Sequence, residues 1–198
     1  QAFAKIGINR ASIGVQDTNP EVQKAILRLQ PNELNKQAFE WLRRSGIEHI
    51  NIDLMYGLPL QDSENFKRTI KDALELKPDR IALFNYAHVP WLKSAQKALE
   101  KYPMAQGEEK VALFEEAMEA FENAGFEYIG LDHFAKPEDE LIKARNEGSL
   151  QRNFQGYSTR AGLDTFAIGL TSISQTRDSY RQNVKIYKDY ESSINAGS

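Results

Sequence analysis

The sequence predicts an α/β fold, an incomplete (β/α) TIM-like barrel with mainly parallel strands. Three observations carry this. Apolar, strand-like runs alternate with amphipathic helical stretches from end to end, the pattern that builds a parallel sheet through right-handed crossovers. The predicted strand ends, at Gln16, Asp53, Ala87, Asp132 and Ile173, recur at the spacing of βα units. Each run also stops abruptly in polar residues. Five strands fall short of the roughly eight strands and 250 residues of a closed barrel, so the missing strands are expected upstream of Gln1.

The elements follow in order. Lys5 to Val15 reads as the first strand. Asn19-Pro20 supplies a capping residue and a proline at the first helical position, and Val22, Ala25, Ile26 and Leu29 give one apolar helical face. A second helix carries Leu34, Ala38, Trp41 and Leu42 and stops at Gly46. His49 to Tyr56 is a strand closed by Gly57-Leu58-Pro59. A helix with Phe66, Ile70, Ala73 and Leu74 follows, and Arg80 to Tyr86 is the third strand. Helical sequence spans Trp91 to Tyr102, and a longer helix places Val111, Phe114, Met118 and Phe121 on one side. Phe126 to Leu131 is the fourth strand, Pro137 to Gly148 a short helix, Thr165 to Ile173 a fifth strand, and the tail from Asn183 is helical. The strands read as apolar on both faces rather than alternating, as strands covered on two sides should be. One domain is expected. Within it, residues 1–135 carry about three βα units plus a further strand, and residues 136–198 continue with a ligand-facing loop, the last strand and a C-terminal helix.

Composition narrows the function. Lysine plus arginine total 25 against 28 acidic residues, for a net charge of −3, which gives no electrostatic reason to expect nucleic acid or a membrane surface as partner. No apolar stretch approaches the roughly 20 residues that span a bilayer. The chain has no cysteine, which excludes a disulfide scaffold, a thiolate nucleophile and a cysteine-ligated metal within these residues.

Parallel α/β folds bind ligands beyond the carboxyl ends of their strands. Those positions hold Gln16-Asp17, Asp53 with Tyr56, Asn85-Tyr86-Ala87-His88, Asp132-His133 and Thr171 to Ser174. Together they predict a polar rim on an apolar scaffold, suited to a small molecule. Asp53 lies within an apolar run, so its carboxylate needs partners; it either contacts a ligand or braces a loop. Arg28, near the end of its helix, is either a solvated cation or a bidentate partner for a carboxylate. Asp53, His88 and His133, with Asp132, offer a second reading, a divalent metal site in a barrel hydrolase or aldolase. The segment Gln151 to Gly162 has no helical or strand period. Its length, its aromatic residues and its two arginines point to a functional loop for an anionic aromatic ligand, against a surface loop anchored by Phe154 and Tyr157.

The stretches Ser12-Ile13-Gly14-Val15-Gln16-Asp17, Asn51 to Pro59, Pro78 to His88, Ile129-Gly130-Leu131-Asp132-His133-Phe134 and Arg152-Asn153-Phe154-Gln155-Gly156-Tyr157 resemble, in order, the oxygen-independent coproporphyrinogen III oxidases. These are radical S-adenosylmethionine (SAM) enzymes of haem biosynthesis. The resemblance implies a radical SAM barrel, two S-adenosylmethionine molecules and a [4Fe–4S] cluster. It places Gln16, Arg28, Asp53 and Ala87 at contacts to the second S-adenosylmethionine and Ile173 at a contact to the first. Arg28 would hold the methionyl carboxylate, Asp53 accept from hydroxyl or ammonium groups, Ala87 leave room for the backbone, and Ile173 pack on the adenosyl group. Arg152 and Arg160 are candidates for substrate carboxylates, with Gln155 and Tyr157 beside them. The implied reaction converts two propionate side chains of coproporphyrinogen III to vinyls, giving protoporphyrinogen IX. A 5′-deoxyadenosyl radical abstracts hydrogen, and carbon dioxide and one electron are then lost.

The family's C-x-x-x-C-x-x-C motif and the glycine-rich segment after its second strand are absent. The chain is therefore expected to be a piece of the enzyme that binds no cluster, turns over no substrate and leaves no residue of its own as catalytic or metal-binding. The expected partners are a porphyrinogen and an unidentified electron acceptor, in the cytoplasm. The parent is expected to be monomeric, while an exposed sheet edge would let the piece self-associate. A non-catalytic, haem-binding relative is a third reading, against which the match at Arg152 to Tyr157 speaks.

Overall fold

The computed structural model describes residues 2–153 and 156–197. The chain divides into two compact units, Gln1–Glu147 and Gly148–Ser198. In chain order the first holds α1 (Ala2–Lys5), β1 (Arg10–Gln16), α2 (Pro20–Ala25), α3 (Asn32–Arg44), β2 (His49–Tyr56), α4 (Ser63–Glu75), β3 (Arg80–Asn85), a short 3-10 helix (Ser94–Leu99), α5 (Glu108–Asn123), β4 (Glu127–Gly130), β5 (His133–Ala135) and α6 (Glu140–Asn146). The second holds β6 (Gln151–Asn153), β7 (Gly156–Ser158), β8 (Ile173–Gln175), β9 (Tyr180–Gln182) and α7 (Tyr187–Asn195).

The first unit is built on a five-stranded sheet of order β1-β2-β3-β5-β4. β1, β2 and β3 are parallel; β5 runs antiparallel to both β3 and β4. The α/β class is as predicted, but the sheet is mixed. The expected fourth parallel strand is the first arm of a β4–β5 hairpin, and its return arm inserts beside β3. The predicted first strand is also shortened. Ala2–Lys5 is helical and pairing starts at Arg10, leaving Ile6 and Ile8 exposed.

Val15, Ile50, Ile52, Leu54, Ile81, Leu83 and Phe134 lie on one face of the sheet and share a single core with Phe39 of α3, Phe66, Ile70 and Ala73 of α4, and Leu113, Ala117 and Phe121 of α5. Phe121 stands edge-on to Phe134 at 5.1 Å between ring centres. The three helices thus cover one face, and burial along β2 alternates strictly over His49 to Leu54. For β2 this overturns the expectation of a strand apolar on both faces, whereas in β3 Ile81, Ala82 and Leu83 are all buried.

Helix boundaries follow local chemistry. Asn19 Oδ1 accepts from the amides of Glu21 and Val22 and caps α2, as its place before Pro20 predicts. α2 then ends at Ala25, so Leu29 is exposed instead of completing an apolar face. In α3 the inward residues are Asn35 and Phe39, while Leu34 and Trp41 are exposed. In α5 they are Leu113, Ala117 and Phe121, with Val111 exposed. Asp62 and Asn65 form a reciprocal capping box at the start of α4.

The second unit consists of two hairpins, β6–β7 and β8–β9, and α7. The predicted strand from Thr165 to Ile173 does not form. Thr165 makes one bridge to Gln175, and Phe166 and Ile168 are exposed. The aperiodic stretch from Gln151 onward contains the β6–β7 hairpin.

Gly57, at the turn after β2, has φ +76°, and an added Cβ would overlap Lys110 Cε. Gly57→Ala should therefore destabilise the fold by about 1–3 kcal/mol from backbone strain alone, and by more as Lys110 is displaced. Gly46, at φ +86° with open space around it, should show only the strain when changed to alanine. Urea denaturation of the two variants compares them; equal losses would remove Lys110 from the account.

Candidate functional site

The second face of the sheet carries the polar residues. Pairing in register sets Ser12 beside Asn51, Gly14 beside Asp53, and Asp53 beside Ala82. Asp53 lies inside β2 rather than at its end, because β2 continues to Tyr56. Its half-buried carboxylate accepts from Asn51 Nδ2 at 2.7 Å and from Ser12 Oγ at 3.2 and 3.3 Å. Asn51 Nδ2 also donates to Ser12 Oγ at 2.9 Å. Sequence reasoning does not single out Ser12 or Asn51. Their signal is the alternation Asn51-Ile52-Asp53-Leu54, which marks one polar and one apolar face.

Gln16 closes β1 at a bulge, with φ +64°. Arg28 sits past the end of α2 in the loop to α3, and its Nη2 donates to Gly14 O at 2.6 Å. Gly14 makes this possible: a Cβ there would meet Gln16 Nε2 at 2.6 Å and Arg28 Nη2 at 3.0 Å. Gln16, Arg28 and Asp53 are thus brought together around Gly14. Gln16 Oε1 is buried with no hydrogen-bond partner, an unused acceptor that a ligand donor would satisfy.

Asp17, the next residue, points the other way and is fully buried. Its Oδ1 accepts from the Asn19 amide at 2.6 Å and Thr69 Oγ1 at 2.9 Å, and its Oδ2 from Gln61 Nε2 at 2.7 Å. Gln61 Oε1 in turn accepts from the amides of Gly57 and Leu58 at 2.6 and 3.2 Å. Burial raises the Asp17 carboxyl above its usual range, with the Asp72 carboxylate adding to the rise; the three donors oppose it. Asp17 braces the rim and does not line it.

Ala87 is exposed two residues beyond β3, and its carbonyl accepts from Gln96 Nε2 at 3.1 Å. Lys110 Nζ donates to the neighbouring Tyr86 O at 2.7 Å, and burial lowers the Lys110 pKa. His88 stands between the Tyr86 hydroxyl at 3.3 Å and Glu100 Oε1 at 3.5 Å. His133 is in β5, opposite Ala82 and edge-on to Phe84, and Asp132 O accepts from the Leu83 amide at 2.6 Å. Among the described residues no three His, Asp or Glu side chains converge to hold a metal ion. Asp53, His88 and His133 therefore do not form the metal set of the second reading, because β3 separates Asp53 from His133 and His88 turns toward Glu100.

In the second unit Arg152 is opposite Tyr157 across β6–β7, and the Arg160 amide donates to Ser158 Oγ at 3.0 Å. Arg152 and Arg160 line one cavity of about 750 Å³. Ile173 opens β8 opposite Gln182. Gln155 and Phe154 lie outside the described residues.

Residues 1–73 match the Radical SAM superfamily model. The chain is 42% identical over 193 residues to oxygen-independent coproporphyrinogen III oxidase of Synechocystis sp., covering 98% of this chain and 41% of that protein. It is 45% identical over 193 residues to the one from Thermostichus vulcanus, covering 98% and 59%. Among solved structures, coproporphyrinogen III oxidase from Escherichia coli, described as a radical SAM enzyme, superposes with TM-score 0.88 at 40% identity, over 98% of this chain and 45% of that one. The resemblance to these oxidases is borne out along nearly the whole chain, which spans between about two-fifths and three-fifths of its curated relatives. Among the described residues no helix is long and apolar enough to cross a membrane.

The two cofactors of radical SAM chemistry fit these residues differently. With no cysteine, the chain offers no thiolate to an iron–sulfur cluster. The Gly14 cluster does suit a zwitterionic amino-acid ligand, since it presents a guanidinium, a carboxylate and an unfilled amide acceptor.

Asp17→Asn would set an amide donor against groups that already donate, at an expected cost of about 1–3 kcal/mol. Because the folded state keeps this proton at a pH where the unfolded chain has released it, the wild-type fold loses stability as pH rises from the usual aspartate value through the raised one. The gap between wild type and variant in chemical denaturation should thus be wider in acid than at neutral pH. A gap that widens toward neutrality contradicts this account.

Proposed function

We propose that the chain is the C-terminal portion of the radical SAM barrel, incomplete by itself, of an oxygen-independent coproporphyrinogen III oxidase. The parent enzyme oxidatively decarboxylates two propionate side chains of coproporphyrinogen III to the vinyls of protoporphyrinogen IX. The observation that carries this reading is the convergence of Gln16, Arg28 and Asp53 on Gly14, on the face of the sheet that α3, α4 and α5 leave uncovered. The free edge of β1, which pairs with β2 alone among the described residues, suits a further barrel strand or, in its absence, self-association.

In this reading the chain's residues orient and shield. S-adenosylmethionine, when bound, supplies the one-electron, hydrogen-abstracting chemistry. Arg28 engages Gly14 O through Nη2 alone, so its other guanidinium donors remain for the methionyl carboxylate. Asp53 is kept as an acceptor by Ser12 and Asn51, which donate to it and hold its direction, and accepts from the ammonium or the ribose hydroxyls. Gln16 Oε1 accepts a ligand N–H. Ala87 leaves space for backbone approach beyond β3, and Ile173 packs on the adenosyl group of the first S-adenosylmethionine. Substrate carboxylates fall to Arg152 and Arg160, with Gln155 and Tyr157 adjacent. The electron acceptor is a separate molecule, and the setting is cytoplasmic.

Titration of the protein with S-adenosylmethionine by calorimetry tests this. Arg28→Gln and Asp53→Asn should each weaken binding roughly tenfold or more, the worth of a charge-assisted hydrogen bond. Wild-type affinity in both variants would overturn the assignment. A second outcome concerns turnover. The chain alone should hold no stoichiometric iron and form no vinyl product from coproporphyrinogen III; iron analysis and product chromatography check this, and either signal would refute it.

A further inference from the structure

We propose that the second unit carries a self-contained polycarboxylate site in which Arg177 acts as a third cation beside Arg152 and Arg160, with Gln175 as an acceptor for ligand N–H groups. All four residues line the same cavity of about 750 Å³. They come from three stretches of chain: Arg152 from β6, Arg160 from the segment after β7, and Gln175 and Arg177 from the end of β8 and its turn.

The stretches are tied together by backbone geometry. Thr165 and Gln175 exchange both backbone hydrogen bonds, at 2.7 and 2.9 Å, which fastens the segment after β7 to β8. The turn that presents Arg177 is closed by the Thr176 amide on Ser179 O at 2.9 Å and by paired Thr176 and Ser179 hydroxyls at 2.8 Å. The Arg160 end is set by its amide on Ser158 Oγ.

Charge and polarity identify the ligand. The lining holds three arginines and one carboxylate residue, Asp164, and none of the three arginines is in an ion pair among the described residues. Such cations call for several carboxylates, each able to take a forked contact. Leu163 and Phe166 line the same space and are largely exposed, so the ligand has an apolar body between its acidic arms. Gln175 Oε1 is buried with no donor, an unmet acceptor that an N–H of the ligand would fill. A polycarboxylate with an apolar, N–H-bearing body meets all three demands. That the body is a tetrapyrrole rests on the function proposed above; that the cavity takes polycarboxylates does not.

The experiment is an absorbance and fluorescence titration of the protein with coproporphyrin III, the stable tetracarboxylate, and in parallel a calorimetric titration with citrate. Arg177→Gln is compared with Arg181→Gln, a substitution on β9 that removes the same charge outside the cavity. We expect Arg177→Gln to weaken coproporphyrin binding roughly tenfold while Arg181→Gln leaves it unchanged, and Gln175→Leu to weaken coproporphyrin more than citrate. If citrate binds and depends on Arg177 while coproporphyrin does not bind, the site stands and the tetrapyrrole function falls. If neither ligand binds, or if the two arginine variants behave alike, the site itself is refuted.

Discussion

Asp17 is a charge placed where water cannot reach it, immediately after β1. An unpaired carboxylate in such a place costs several kcal/mol, and the three donors from Asn19, Thr69 and Gln61 offset that cost only in part, since its proton is still held more tightly than usual. The arrangement fixes geometry. Gln61 reaches from the Asp17 carboxylate to the amides of Gly57 and Leu58 and to Met55 O, so the ends of β1 and β2 cannot slide without leaving a buried charge unpaired. Thr69 brings α4 into the same network. Gln16 and Asp53 owe their spacing to it, because Gln16 precedes Asp17 directly and Asp53 lies two residues before Met55.

A second tie works at the opposite ends of the strands. Arg80, the first residue of β3, makes a two-pronged contact with Asp139 at 2.8 and 2.8 Å, and Asp139 caps α6 through the Leu141 amide. With both ends of the parallel strands held by buried polar groups, the apolar core needs only to cover one face with α3, α4 and α5. The other face carries Ser12, Gly14, Asn51 and Asp53 beside Met55 and Phe84, and that asymmetry is what makes a site available.

The sequence shows this architecture unevenly. β2 is legible to the residue, because His49 to Tyr56 is bounded by Gly57-Leu58-Pro59, and α4 is legible by its apolar positions Phe66, Ile70, Ala73 and Leu74; both are local signals. The inward faces of α3 and α5 are not. Asn35 is buried with its Oδ1 accepting from Gln30 Nε2 at 2.6 Å, a contact no periodicity reveals, and α5 has two adjacent apolar stripes from which packing selects the one with Ala117. The β4–β5 hairpin hides because Asp132-His133 looks like a polar rim when Asp132 ends the turn and His133 opens β5. In the site, residue reading alone leaves Asp53 and Arg28 between two roles, and it is the resemblance that favours ligand contact for both. Arg28 is the instructive case, since its anchor is a backbone carbonyl at Gly14 and depends on a residue having no side chain. Ser12 and Asn51 are within reach of the sequence only when the alternation in β2 is weighed above the apolar character of the run.

The two units differ in the kind of charge they offer, and this bears on how work is divided. Around Gly14 one guanidinium, one carboxylate and one neutral amide stand close together, a balanced set that selects a ligand carrying both signs. In the second unit three arginines share a lining with a single carboxylate, a set that selects an anion. In the function proposed above, a positively charged zwitterion and a polycarboxylate are told apart by these charge sets, since each set disfavours the other's ligand. Arg177 strengthens the contrast. In the site proposed above it adds a third positive charge at a turn closed by Thr176 and Ser179.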